Sequence, residues 1–156
     1  MILTRDELDQ LLAEARAEAP REACGFILRH DPDGESRHIP ATNVHRQPER
    51  CFAIDPPTML RVLKEECMTG WSIHAIYHSH PASIARMSPE DRRGARAFMC
   101  AAYYLIVALP ASDFWEATAW RWDPDRKLWG MAGCAIGTFR AKWMDQPASL
   151  PLVALP

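Results

Sequence analysis

Residues 72–91 read SIHAIYHSHPASIARMSPED, and the stretch places a strand, a loop and a helix start in sequence. Ser72 to Tyr77 is a short apolar run that reads as a strand, and it delivers His78-Ser79-His80-Pro81. After the loop, Ser88-Pro89-Glu90-Asp91 has Ser at the N-cap, Pro at the first helical position and an acid at the third, the signature of a helix N-terminus. That helix is expected to run to about Cys100.

Working outward, Thr4 and Glu7 form a capping box. Leu8, Leu11, Leu12 and Ala15 then make one apolar stripe, so the spacing predicts a first helix that Pro20 ends. Ala23 to Leu28 reads as a strand, Asp31-Pro32-Asp33-Gly34 as a turn, and Ser36 to Ala41 as a returning strand. A polar connector from Thr42 to Arg50 leads to a short strand expected over Cys51 to Ile54. Asp55 and Pro56 open a second helix that Gly70 stops after about Met68. Strands are expected at Tyr103–Leu109 and Glu116–Trp122, with a hairpin partner beyond the Asp123-Pro124-Asp125 turn. Neither a repeat nor a linker interrupts residues 1–156, so the order predicts a single α+β domain, a mixed β-sheet flanked by helices.

The 156 residues are 48% apolar and 24% charged, with a formal net charge of −2. A single well-filled core is affordable at that length, and no basic field points to nucleic acid or an anionic membrane. The N-terminus lacks the order of a signal peptide, and no stretch approaches the roughly 18 apolar residues of a membrane span. The cytoplasm is the expected location. The five cysteines (Cys24, Cys51, Cys67, Cys100, Cys134) form no CxxC pair. Most sit among apolar neighbours and read as buried reduced thiols rather than zinc or redox ligands.

His78 and His80, at i and i+2 on a strand end, share one face roughly 6–7 Å apart at the backbone. Two imidazoles on that base can converge on an ion, though HxH alone is weak and also describes two exposed loop histidines. Asp91, in the first turn of the next helix, can supply a third ligand and leave a fourth position open, as in catalytic zinc sites. It equally completes the helix start. Ser88 reads both as that helix's N-cap and as a donor to a developing oxyanion. Glu22, before the first strand, is by itself an ordinary surface charge or a base.

The run from His78 to Asp91, with seven residues between His80 and Ser88 and with Glu22 upstream in an E-x-C-G setting, resembles the signature of the JAMM (MPN+) metalloproteases. Four fixed residues at fixed spacing are far more specific than HxH. Asn43 to Pro56, NVHRQPERCFAIDP, is similar to the segment joining these elements in bacterial stand-alone members. The resemblance implies a fold related to the cytidine deaminases and one Zn²⁺ per chain held by His78, His80 and Asp91. It implies Glu22 as the general base and Ser88 as the stabiliser of the tetrahedral intermediate. It also implies as substrate a ubiquitin-like or sulfur-carrier protein, cut after its C-terminal glycine. Where family members often carry prolines after HSHP this chain has Ile84 and Met87, and Leu28-Arg29-His30 stands where a glycine is common. Both departures bear on the shape of the substrate loop.

The alternative is a non-catalytic scaffold of the same fold, although such members typically lose ligands that are intact here. A deaminase needs HxE and PCxxC, which this chain lacks, and near-neutral charge disfavours a DNA-repair relative. A homodimer is left open. Trp71, Trp115, Trp120, Trp122, Trp129 and Trp143 read as core or interface packing, with Trp120 and Trp122 on one strand face. His74 reads as a satisfied interior histidine, and His30, His38 and His45 as solvated. Arg92-Arg93 read as an exposed helix face, and the Pro147–Pro156 tail as a segment that packs or frays.

Overall fold

The computed structural model describes residues 3–30, 34–98, 101–111 and 113–138. The element order is α1 (Arg5–Glu18), β1 (Cys24–His30), β2 (Glu35–Ala41), α2 (Pro56–Thr69), β3 (Trp71–His80), α3 (Pro89–Ala95), β4 (Tyr103–Ala111), β5 (Phe114–Asp123) and β6 (Leu128–Thr138). The strands form one mixed sheet in the order β2-β1-β3-β4-β5-β6. All neighbours are antiparallel except β3 and β4. A parallel pair cannot be joined by a tight hairpin, and the crossover here carries the loop after His80 and α3.

Local chemistry sets the helices. Thr4 and Glu7 close the capping box at the start of α1, whose Leu8, Leu11, Leu12 and Ala15 are buried. The Glu7 carboxylate also receives Arg29 from β1 and Ser36 from β2, so a capping residue ties the helix to the sheet. Asp55 accepts the Thr58 amide at 2.9 Å to start α2. Gly70 ends it at φ 75°, a left-handed position that costs a glycine nothing.

The sheet has two covered faces. On one, Ile27, Ala75, Tyr77, Leu105, Val107 and Trp115 pack against the stripe of α1. On the other, Phe26, Leu28, Ile73, Ile76, Tyr104, Ile106 and Trp120 pack with Val62 of α2 and Ala95 of α3. The β1–β3 register slips between Ile27 and Leu28, which pair with Ala75 and Ile73. His74 is therefore the extra residue of a β-bulge. Trp71 and Ile73 lie on the α2 face, yet beyond the bulge it is Ile76 that returns to that face, while Ala75 and Tyr77 face α1. The bulge puts His78 on the same side as α3.

Several expectations change. Residues 51–54 form no strand; one isolated bridge joins Asn43 to Ile54, because the Asn43 side chain takes up the backbone groups that a ladder would use. β3 runs on through His80 rather than ending at Tyr77. The third helix stops at Ala95 and tightens into a 3₁₀ turn over Arg96–Phe98. Of the four cysteines among the described residues only Cys24 is buried; Cys51 and Cys134 are half-buried and Cys67 is exposed. His38 is not solvated: its side chain is 11% exposed and meets Glu14 Oε2 at 2.9 Å and Tyr77 Oη at 2.7 Å. His74 is half-buried against Tyr103 at the bulge. The tryptophans behave as packing residues: Trp71, Trp115, Trp120 and Trp129 are buried, and Trp122 packs on the cluster that holds Trp120. Arg92 and Arg93 lie exposed on α3. Asp31 to Asp33, Cys100, Trp143 and the Pro147–Pro156 tail fall outside the described residues. Among those described, no helix is long and apolar enough to cross a membrane.

Candidate metal centre and active site

Three of the residues singled out in the sequence meet at the end of β3. His78 Nε2 lies 2.9 Å from His80 Nε2 and 3.2 Å from Asp91 Oδ1, and His80 Nε2 lies 3.5 Å from Asp91 Oδ2. A tetrahedral zinc with bonds of about 2.0–2.1 Å spaces its ligand atoms about 3.3–3.4 Å apart. The observed separations bracket that value, so the donor set fits the ion in both type and spacing. Among the described residues, these three alone gather as a metal-binding group.

Each of the three side chains is oriented by its own surroundings. The helix start that capped α3 also aims Asp91. Ser88 Oγ accepts the Asp91 amide at 3.0 Å, and Asp91 Oδ2 accepts the Ser88 amide at 2.7 Å. This turns Oδ1 toward His78, while Oδ2 also faces His80. His80 Nδ1 is 2.9 Å from the Ile84 carbonyl, which can only accept. The neutral His80 ring must then carry its proton on Nδ1 and direct the Nε2 lone pair at the centre, the arrangement by which outer partners fix a ligand histidine. His78 is fully buried, stacked on Phe52 at 4.7 Å and flanked by Tyr104 at 5.4 Å.

The electrostatics follow from burial and crowding. Burial pushes the Asp91 carboxyl up, but hydrogen bonds from His78, His80 and Ser88 outweigh it and hold the group well below its ordinary range. Burial pulls His78 down further than Asp91 lifts it. In His80 the same desolvation is overcome by Asp91, the Ile84 carbonyl and the charge of Glu22, and its pKa rises. Glu22 is pushed up to about 7, chiefly by burial, with His80 lowering it and Asp91 raising it. Its Oε2 is buried with no hydrogen-bond partner.

Register explains how Glu22, so far upstream, reaches this place. Cys24 pairs with His78 in the antiparallel β1–β3 ladder, and the pairing continues outward. Ser79 N donates to the Ala23 carbonyl at 2.9 Å, and the Ala23 amide donates to Ser79 Oγ at 2.8 Å. One further step sets Glu22 beside His80. Both line a cleft of about 340 Å³ with Ser88, Pro81, Ala82, Ser83, Glu49 and Arg50. Ser88 Oγ accepts as a cap while its own proton has no acceptor among the described residues, so both readings of that hydroxyl remain compatible.

Sequence reasoning missed the supports. Asn43, 5% exposed, donates through Nδ2 to the carbonyls of Glu22, Pro48 and Cys51. Its Oδ1 accepts the His45 and Ala53 amides. The apparently polar connector is thereby folded round one buried amide and fixed to the backbone of Glu22. The loop after His80 is held from β5. Glu116 accepts the Ala85 amide at 3.0 Å and Thr118 Oγ1 donates to the Ala85 carbonyl at 2.6 Å. Met87 is buried and Ile84 exposed, so of these two loop residues Met87 is the one that packs into the core. A lone Asn in a polar run and a Thr in a distant strand carry no local signal.

Comparison with known proteins agrees. A model for prokaryotic homologues of the JAB domain matches residues 4–123. The chain is similar to a probable TtuB-protein conjugate cleaving protease of Thermus thermophilus, 37% identical over 62% of this chain and 64% of that one. It also resembles a CysO-cysteine peptidase of Mycobacterium tuberculosis, 33% identical over 58% of this chain and 62% of the other. The chain thus matches somewhat less than two thirds of the length of these relatives. Among solved structures it superposes on a Desulfitobacterium hafniense protein with a TM-score of 0.63 and 31% identity, covering 82% of this chain and 86% of that one. With the His-x-His strand end, the capped Asp91 and this match over most of its length, the chain belongs to the prokaryotic JAB-domain (JAMM) family.

Proposed function

We propose that this protein is a zinc-dependent peptidase or isopeptidase that hydrolyses the amide bond after the C-terminal glycine of a ubiquitin-like or sulfur-carrier protein. The observation that carries the reading is the convergence of His78, His80 and Asp91, with His80 sharing one cleft with Glu22, whose buried Oε2 has no hydrogen-bond partner. Relatives named for cleaving TtuB-protein conjugates and CysO-cysteine support the substrate class.

His78, His80 and Asp91 would hold one zinc ion. When bound, zinc supplies Lewis acidity and brings the pKa of water to about 7. Glu22, buried beside His80 with Oε2 free of any hydrogen-bond partner, takes a proton from the attacking water, the part a positioned carboxylate base plays. The water oxygen joins the carbonyl carbon, the C–N bond breaks, and Glu22 returns its proton to the leaving amine. Ser88 directs its free hydroxyl proton at the oxyanion, a contact of the kind that contributes most when aimed at charge that develops during reaction. Desolvation by Phe52 and Tyr104 around His78 strengthens its electrostatic contact with Asp91.

Elemental analysis of wild type and of His78→Ala, His80→Ala and Asp91→Ala tests the centre. The expected result is about one zinc per chain in wild type, lost in each variant, with cleavage of a carrier fusion abolished in Glu22→Gln while zinc is retained. A wild type that stays metal-free after zinc is supplied overturns the reading and favours a non-catalytic scaffold.

A further inference from the structure

The cleft beside the candidate centre is lined by two carboxylates, Glu22 and Glu49, and by one permanently charged cation, Arg50. Arg50 is exposed and has no acidic partner among the described residues; Glu49, its neighbour in sequence, makes no ion pair with it. Its backbone is nonetheless fixed. The Arg50 and Cys51 amides both donate to the Gln47 carbonyl at 3.1 Å, and Asn43 holds the carbonyls of Pro48 and Cys51 on either side. The same Asn43 amide holds the Glu22 carbonyl at 2.9 Å, and the Glu22 amide donates to Pro48 at 2.7 Å. The turn bearing Arg50 and the residue proposed as base are therefore parts of one rigid unit.

We propose that Arg50 is a specificity residue that binds the free α-carboxylate of the leaving group, so that this enzyme releases a terminal amino acid from a carrier rather than a lysine side chain. The inference rests on the hydrolase reading above. A guanidinium offers planar, bidentate donation to a carboxylate. The other acid–base side chains lining the cleft are Glu22, Glu49 and His80, so Arg50 is the one permanently charged side chain there that attracts a carboxylate held away from the metal, and it fixes register as well as affinity. The cleft volume, about 340 Å³, is at the small-ligand end of binding sites, roughly 300–1,000 Å³, suited to a terminal residue and not to a folded protein. The geometry of the leaving group also discriminates. In a carrier extended by one amino acid, the α-carboxylate is on the carbon bonded to the scissile nitrogen. In an isopeptide the scissile nitrogen ends a long methylene chain, and no carboxylate stands near it.

The test uses the zinc-loaded protein and three probes: a ubiquitin-like carrier extended beyond Gly-Gly by one alanine as the free acid, the same probe ending in alaninamide, and the same carrier joined to a lysine side chain. The expected result is that wild type prefers the acid over the amide by about tenfold or more in kcat/KM, the order expected of one charge-assisted hydrogen bond. The preference is expected to appear mainly in KM. Arg50→Gln brings the ratio to about one with zinc content and Tm unchanged, and Arg50→Lys restores part of it. Equal wild-type cleavage of acid and amide, a ratio that survives Arg50→Gln, or faster cleavage of the isopeptide overturns the proposal while the hydrolase reading stands. A zinc-loaded wild type that cleaves none of the three overturns both.

Discussion

Ser79 and Ala23 are tied by two hydrogen bonds, with the Ser79 amide donating to the Ala23 carbonyl at 2.9 Å and the Ala23 amide donating to Ser79 Oγ at 2.8 Å. Ser79 stands between the two histidines and Ala23 follows Glu22, so this pair clamps the candidate base to the candidate metal strand. Ser79→Ala leaves the buried Ala23 amide without its acceptor, which costs about 1–3 kcal/mol. Urea denaturation of the variant should show that loss, and Glu22-dependent cleavage should fall while zinc content holds.

Asp91 combines a helix cap with a ligand position, and Asp91→Asn separates the two. The amide oxygen can still accept the Ser88 amide, so the circular dichroism spectrum should remain native. The charge facing His78 and His80 is gone. Zinc affinity measured by chelator competition should drop at least about 100-fold, beyond the roughly 10–100-fold of an outer-shell loss.

Glu22 should make the metal-free protein's stability fall as pH rises. Its folded pKa, about 7, lies above the ordinary 4.5, so between those values the unfolded chain releases the proton first and stability declines. Below pH 4.5 the carboxyl is protonated in both states, and above about 7 the penalty is constant. At about 1.4 kcal/mol per pH unit the plateau is near 3 kcal/mol. Glu22→Gln should therefore match wild type at pH 4 and exceed it by about that amount at pH 8, measured by denaturation in the presence of a chelator.

Gly25 is constrained by what lies over it. A Cβ there would stand 2.3 Å from the Ile39 carbonyl oxygen and 2.5 Å from Tyr77 Oη. The Tyr77 hydroxyl crosses the glycine to donate to Glu14 at 2.6 Å and to meet His38 at 2.7 Å. Gly25→Ala should cost about 3 kcal/mol or more, since a backbone oxygen cannot move aside as a side chain can. Thermal denaturation will show it.

Asn43→Ala removes the hub of the connector at once. The carbonyls of Glu22, Pro48 and Cys51 lose their donor. A loss of about 3 kcal/mol is expected from the exposed set of buried groups, with zinc binding preserved because no ligand touches Asn43. Cleavage should be lost before zinc is.

What the sequence alone determined was local. The capping boxes at Thr4 and Ser88, Asp55 and Gly70 at the ends of α2, and the i, i+2 histidines each involve residues a few positions apart, so their chemistry is readable from spacing. What only the tertiary structure decided depends on partners distant in the chain. Ser79 and Ala23 are 56 residues apart and Thr118 and Ala85 are 33 apart; no periodicity announces such pairs. The bulge at His74 is of the same kind. Strict alternation from Trp71 would put His78 on the face opposite Trp71 and Ile73, and the inserted residue places them on the same face. Spacing fixes which residues share a side only within an unbroken run such as His78 to His80; the β1 register fixes which side that is, and it brings Glu22 to His80.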